Sequence, residues 1–235
     1  DDPLLMGVVD KIRAEILYFS TCSEVPAGMY VHNDRIYYKN GSGSSEICHI
    51  KDLPLPGEHN LKNTMAAMLA SMVYGVSSDN IVNSFSSVKG LSHRIEFVAD
   101  IEGVRFIDDS KGTNPDAVIA ALNSFKEPAV LIAGGVDKNM DFSAMCDFIS
   151  HRVKGLILMG STSDLIYKNC SGNGLTNITR VFSMGEAVDK AFSMSEPGDV
   201  VILSPGGASF DMFKNAEDRG EKFVEAVNAL SESIR

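Results

Sequence analysis

The stretch V-R-F-I-D-D-S-K-G-T-N-P-D, Val104 to Asp116, decides the reading of this chain. It opens as a strand: Val104 and Phe106 alternate with Arg105, and Ile107 is another β-former. The hydrophobicity then stops, and Asp109, Ser110, Lys111, Thr113 and Asn114 crowd around Gly112. Asn114-Pro115 reads as an N-cap followed by a first-turn proline, opening a helix over Asp116–Phe125. A polar loop from a strand's carboxyl end to a helix's amino end is where open α/β sheets bind ligands. Unpaired N–H groups at the helix end suit an anion, Lys111 adds a cation, and Asp109 can hold hydroxyls or a metal. The same residue types are also the normal vocabulary of a βα turn. The spacing alone leaves both readings open.

Working outward, Ile95–Ala99 and Val104–Ile107 read as a hairpin over Glu102-Gly103, after which strands alternate with helices. The expected strands are Ala129–Ala133, Gly155–Met159, Ile178–Val181 and Val200–Leu203. The expected helices, besides Asp116–Phe125, are Phe142–His151, Ser163–Cys170, Gly185–Ser195 and Ser209–Leu230. Repeated βα units imply a Rossmann-like α/β fold, a mostly parallel sheet with helices on both faces. Three strands end in polar or glycine-rich loops: Asp108–Asn114, Gly134–Lys138 and Ser204–Ser209. In a parallel sheet such ends share one edge, so Lys111, Lys138, Thr113, Ser209 and backbone N–H groups suit a small carboxylate or phosphate. Neither G-x-G-x-x-G nor G-x-x-x-x-G-K-[ST] occurs, so no dinucleotide or P-loop site is signalled directly.

Before Gly90-Leu91-Ser92, a candidate domain boundary, the pattern is less regular. Leu4–Ala14 reads as an amphipathic helix and Ile16–Ser20 as a short buried strand. Met29–Val31 and Arg35–Tyr38 form a hairpin over His32-Asn33-Asp34, and the Gly/Ser-rich Lys39–Ser45 reads as a mobile loop. Pro54-Leu55-Pro56-Gly57 breaks the chain before a helix at Glu58–Tyr74, apolar nearly all round and so expected between layers. A shorter helix covers Ser78–Val88.

The chain's 235 residues suit one large domain or two modest ones, and 44% hydrophobic against 22% charged residues describe a soluble globular protein. A formal net charge of −10 with no basic stripe argues against nucleic acid as a main partner. The apolar runs are strand-sized, so no membrane span is expected. Cys22, Cys48, Cys146 and Cys170 are scattered, which favours reduced thiols in a cytoplasm over a disulfide frame or a zinc site.

Five segments, in this order, resemble one family: G-E-H-N-L-K-N (57–63), S-H-R-I-E (92–96), D-D-S-K-G-T-N-P-D (108–116), A-G-G-V-D-K (133–138) and S-P-G-G-A-S-F-D-M-F-K-N-A-E-D-R-G (204–220). They are similar to the Mur ligases, and the third and fifth to the D-glutamate-adding branch. The match covers nearly the whole chain but only the family's later part. The resemblance implies residues 1–90 as the remainder of a central α/β ATPase domain and 91–235 as the Rossmann-like C-terminal domain, with a hinge near Val88–Leu91. It implies a cytoplasmic, monomeric, ATP- and magnesium-dependent ligase that activates the carboxylate of UDP-N-acetylmuramoyl-L-alanine as an acyl phosphate, which the amine of D-glutamate attacks.

By the same resemblance Lys111, Thr113, Lys138, Ser209 and Phe210 hold D-glutamate, while Asn63, Arg94 and Asp109 serve the nucleotide. Asp109 meets either the ribose or the domain hinge. No catalytic residue and no metal ligand is assigned within the chain, and no ligase activity is expected from it alone. Each residue also has a plainer role: Lys111 and Lys138 as solvated lysines, Asn63 in a polar network, Arg94 in a surface ion pair, Ser209 as a helix cap. Two departures stand out: glycines at 206 and 207 where Ala-Cys is common, and Ala216 where some members carry an aromatic ring. The alternatives are a sibling or folylpolyglutamate-type ligase, and a non-catalytic Rossmann-like module that senses a small anion.

Overall fold

The computed structural model describes residues 1–55, 57–88 and 90–234. The chain divides into two compact units, Asp1–Lys89 and Gly90–Arg235. The Pro54–Gly57 break includes Pro56 and the expected hinge at Val88–Leu91 includes Lys89; both residues lie outside the described set.

In the second unit six strands line up in the order β5-β6-β10-β7-β8-β9. They are β5 (Glu96–Ile101), β6 (Val104–Asp108), β7 (Ala129–Gly134), β8 (Val153–Met159), β9 (Ile178–Arg180) and β10 (Val200–Gly206). β5 pairs antiparallel with β6 across a tight turn at Glu102-Gly103, where both residues have positive φ; every other pairing is parallel. The β7 run A-V-L-I-A shows why a sheet forms here. Ala129, Leu131 and Ala133 enter one core while Val130 and Ile132 enter the other, as the two-residue repeat of a strand requires. Burying side chains such as Leu131 and Ile132 completely contributes about 1.5–3 kcal/mol each.

The first core is closed by α4 (Pro115–Asn123), α5 (Ser143–Arg152) and α6 (Ser163–Gly172), the second by α7 (Met184–Ser193) and α8 (Ala216–Ile234). The chain steps outward from β6 through β7 and β8 to β9, with α4 to α6 on one face. It then returns along the other face through α7 and inserts β10 between β6 and β7. Such a reversal of winding opens a crevice at the carboxyl ends of the strands. There the loops after β6, β10 and β7 are next-door neighbours.

The first unit holds a four-stranded sheet in the order β1-β2-β3-β4, from Tyr18–Ser20, Gly28–His32, Arg35–Asn40 and Gly43–His49. Helices α2 (Glu58–Val73) and α3 (Ser78–Ser84) pack Leu61, Met65, Met68, Leu69 and Ile81 against Met29 and Ile36.

Several sequence expectations need correction. The Leu4–Ala14 helix is only α1 (Pro3–Met6) and a 3-10 turn at Val9–Lys11. Asp2 caps α1, but Gly7 ends it, and Leu4, Leu5, Val8 and Ile12 stay exposed without a face to cover. The Ile16–Ser20 strand is an edge strand with Phe19 exposed, not a buried one. Lys39–Ser45 is not a loop: β3 and β4 pair through it, and Asn40 accepts a hydrogen bond from the Ser42 N–H to close the turn. Serines at 44 and 45 merely face solvent on an outer strand. Helix α2 buries one stripe, leaving Val73 and Tyr74 exposed. The last helix starts at Ala216, because Asn215 caps it by accepting from the Asp218 N–H.

Candidate functional site

Backbone hydrogen bonds tie the three strand-end loops to one another. At the end of β6 the Asp109 N–H donates to the Leu203 carbonyl (2.8 Å), and the Ser204 hydroxyl donates to Asp109 Oδ2 (2.7 Å). The Gly206 N–H then donates to the Gly112 carbonyl (2.8 Å), joining the β10 loop to the D-S-K-G-T-N loop. On the other side Val136 and Ala208 exchange hydrogen bonds (2.7 and 3.1 Å), joining it to the A-G-G-V-D-K loop. Two glycines are required by this closeness. A Cβ on Gly112 would run into Asp109 and the Ser204 hydroxyl. Gly135, at φ +123, lies against the Ala208 carbonyl and leaves no room for a side chain.

Under these loops lies Arg219, on the first turns of α8 and only 2% exposed. Its Nε donates to Ser110 Oγ (3.0 Å), its Nη2 to the Ser110 carbonyl (2.8 Å) and its Nη1 to the Gly207 carbonyl (3.1 Å). Ser110 in turn donates its hydroxyl to the Ala216 carbonyl (2.7 Å). One guanidinium therefore pins the β6 loop, the β10 loop and the start of α8 together. Its planar fork makes that possible where an ammonium would not. Burial lowers its pKa to about 10, opposed by Asp211, Asp108 and Asp109, so it remains charged at neutral pH.

Beside it Asp108, fully buried, accepts from the Ser110 N–H (2.8 Å) and lies 2.7 Å from His93 Nδ1. Burial raises its pKa, with the bonds from His93 and Ser110 opposing. Burial also lifts Asp109 to about 6, opposed by Ser204, the Ile95 N–H and the positive charge of Arg94. His93 (φ 62) and Ile95 (φ 49) both sit in the left-handed region on either side of Arg94. For a β-branched residue such as Ile95 this backbone is costly, and such strain collects at sites that must hold one side chain in place.

The sequence-predicted residues fall as follows. Asp109, Lys111, Thr113 and Ser209 all lie on the bonded loops; Asp109 and Ser209 are buried, Lys111 and Thr113 half-buried. Lys111 Nζ is 3.3 Å from Glu217, so its charge is partly engaged. Lys138, on the loop after β7, is exposed, as is Arg94. Phe210 is 70% exposed, so its ring is not packed into the core of this unit. Asn63 is exposed on α2 and belongs to the first unit. Ser209 is not the cap of the last helix; Asn215 is.

At the two departures, Gly207 supplies the carbonyl that Arg219 grips and Ala216 the carbonyl that Ser110 grips, both backbone roles. Arg219 was the residue that sequence reasoning missed. Its one available signal was an arginine beside Gly220, where a Cβ would strike His93.

Among the described residues, His93, Glu96 and Asp108 form a group of potential metal ligands with atoms within 4.8 Å of one another. His93 Nδ1 is engaged by Asp108, and one Glu96 oxygen accepts from the His93 backbone N–H (2.7 Å). The imidazole also does not suit magnesium, which takes oxygen ligands.

Residues 93–207 match the Mur ligase, glutamate ligase domain. The chain is 40% identical over 230 residues to UDP-N-acetylmuramoylalanine--D-glutamate ligase of Pelotomaculum thermopropionicum, covering 98% of this chain and 50% of that protein. It is 42% identical over 232 residues to the ligase of the same name from Caldanaerobacter subterraneus, covering 98% and 51%. It thus spans about half the length of these relatives. The fold is that of the MurF ligase of Thermotoga maritima, solved in complex with ADP, at a TM-score of 0.63 and 16% identity, over 100% of this chain and 53% of that one. Escherichia coli FolC, also solved with ADP, superimposes with a TM-score of 0.59 at 17% identity, over 89% and 47%.

Proposed function

Since the chain belongs to the Mur ligase family, we propose that its second unit is the amino-acid site of an ATP-dependent ligase that joins D-glutamate to UDP-N-acetylmuramoyl-L-alanine in peptidoglycan precursor synthesis. The observation that carries this reading is the hydrogen-bonded union of the three strand-end loops, with Lys111, Thr113 and Ser209 on two of them and Lys138 on the third. D-Glutamate is a dianion whose amine must be left free and aimed. Cations and hydroxyl donors that fix its two carboxylates do that, converting a bimolecular encounter into a positioned one.

In the reaction the acceptor carboxylate is first phosphorylated by ATP, the amine then attacks the acyl carbon, and phosphate leaves as the amide forms. The role of this unit is to orient the amine. In this reading Lys111, Thr113, Lys138 and Ser209, with the Phe210 backbone, hold the two carboxylates. Asp109, with one oxygen already engaged by Ser204, and Arg94 face the nucleotide. The first unit, Asp1–Lys89, serves in this reading as the part of the central ATPase domain expected over residues 1–90 and supplies Asn63 to the nucleotide. A magnesium ion would neutralise charge on the transferring phosphoryl group, and no residue of this chain is assigned to it. The setting is a cytoplasmic monomer; among the described residues no helix is long and apolar enough to cross a membrane.

The test is competition. Against D-glutamate, amino acids used by sibling ligases and L-glutamate should bind the chain far more weakly; equal binding would favour a sibling or folylpolyglutamate-type activity. The isolated chain, lacking any G-x-x-x-x-G-K-[ST] segment, should form no amide from ATP and the two substrates.

A further inference from the structure

On the face of the second unit that carries α4, α5 and α6, two of the four cysteines meet. Cys146 on α5 and Cys170 on α6 are both fully buried, and their sulfurs are 2.8 Å apart. The hydroxyl of Ser150 bonds the carbonyl oxygens of both cysteines, at 2.6 and 3.4 Å, so the two helices are held together at this point. Ile149, Leu156, Ile166 and Leu175 belong with both cysteines to the same buried apolar core. Neither sulfur belongs to the loops of the proposed amino-acid site.

From this contact we infer that Cys146 and Cys170 are a dithiol site that closes to an intramolecular disulfide when a small peroxide reaches it. A disulfide needs its sulfurs at about 2.05 Å with the side chains directed at each other. The pair is already in contact, so closure asks for a sub-ångström approach of two helices that pack on one another. The hydrogen bond from Cys170 lowers the pKa of Cys146, while Cys170 is pushed up by holding that proton and by burial. Because Cys170 donates the hydrogen bond and Cys146 accepts it, Cys146 attacks first and Cys170 resolves.

The chemistry balances. The Cys146 thiolate attacks one peroxide oxygen, the O–O bond breaks, and hydroxide leaves to take up a proton as water, giving a sulfenic acid. Cys170 sulfur then attacks Cys146 sulfur, the S–O bond breaks, and a second water leaves. Two thiols lose two electrons in total and the peroxide is reduced to two waters. A small peroxide reaches the pair by local opening of this core. Closure clips α5 to α6, the helices that follow β7 and β8, and stabilises the unit by removing freedom from the unfolded chain.

The experiment treats the 235-residue chain with hydrogen peroxide, then alkylates it in denaturant and maps the peptides by mass spectrometry. The expected result is a loss of two hydrogens, a linked peptide pair carrying Cys146 and Cys170, recovery with a dithiol reductant, and a higher melting temperature for the oxidised form. Cys22→Ser should leave the linkage intact and Cys170→Ser should abolish it, trapping Cys146 as sulfenic acid. The mapping on the unsubstituted chain stands even if the Cys170→Ser variant folds poorly. Alkylation of Cys146 and Cys170 in full after peroxide has oxidised Cys22, or oxidation of Cys146 without a link to Cys170, would overturn the assignment.

Discussion

Arg219 grips Ser110 twice, through Nε to the hydroxyl at 3.0 Å and through Nη2 to the carbonyl at 2.8 Å, across 109 residues of chain. The third bond, to Gly207, makes this arginine the internal clamp of the loop cluster. Arg219→Ala leaves two buried carbonyl oxygens without donors and opens a cavity under the loops. It is expected to cost on the order of 3 kcal/mol. Arg219→Lys should recover only part, since one ammonium cannot reproduce the fork. Denaturant melts of both variants check this; an alanine variant as stable as the parent would remove Arg219 from the account.

Asp109 makes stability depend on pH. Its pKa when folded, about 6, lies above the ordinary 3.8. The folded chain therefore binds that proton more tightly than the unfolded chain does. The resulting stabilisation is complete at pH values below the ordinary one and is lost as pH rises through about 6, a change on the order of 3 kcal/mol. Asp109→Asn keeps an acceptor for the Ser204 hydroxyl and cannot ionise. Its stability should fall less between pH 4 and pH 7 than that of the parent, with Asp108, raised in the same direction, supplying what slope remains. Parallel slopes for the two proteins in that interval would contradict the assignment.

Gly135 tests the union of the loops rather than any functional group. A methyl there meets the Ala208 carbonyl and imposes an unfavourable φ of +123. Gly135→Ala should break the Val136–Ala208 bridge, destabilise the unit by about 2 kcal/mol or more and weaken amino-acid binding in the same step. Hydrogen exchange at the Val136 and Ala208 amides reports the bridge directly. Unchanged protection of both amides in the variant would show that the bridge does not depend on this glycine.

The second unit was readable in the sequence because its central strands, β6, β7, β8 and β10, are buried on both faces and each is followed by a helix. The β7 run and the Asn114-Pro115 helix start carry their structure locally. The loops that hold Thr113, Lys138 and Ser209 could be placed at one edge from topology alone. Arg219 could not, because an arginine in A-E-D-R-G reads as a solvated helix face, and only tertiary packing reveals that the face turns inward at that residue. The start of α8 slipped for a similar reason: Ser209 and Asn215 are both competent caps, and the choice between them is made by the bridge at Ala208. In the first unit, β4 was hidden because a solvent-facing strand of Gly and Ser has the composition of a loop.

The central claim is that the second unit recognises D-glutamate, and calorimetric titration of the chain with D- and L-glutamate tests it most directly. The account predicts weak binding that prefers the D-enantiomer and disappears in Lys138→Ala, a loop residue whose removal leaves the hydrogen-bonded framework in place. Equal affinity for the two enantiomers, or D-glutamate binding that persists undiminished in Lys138→Ala, would contradict it.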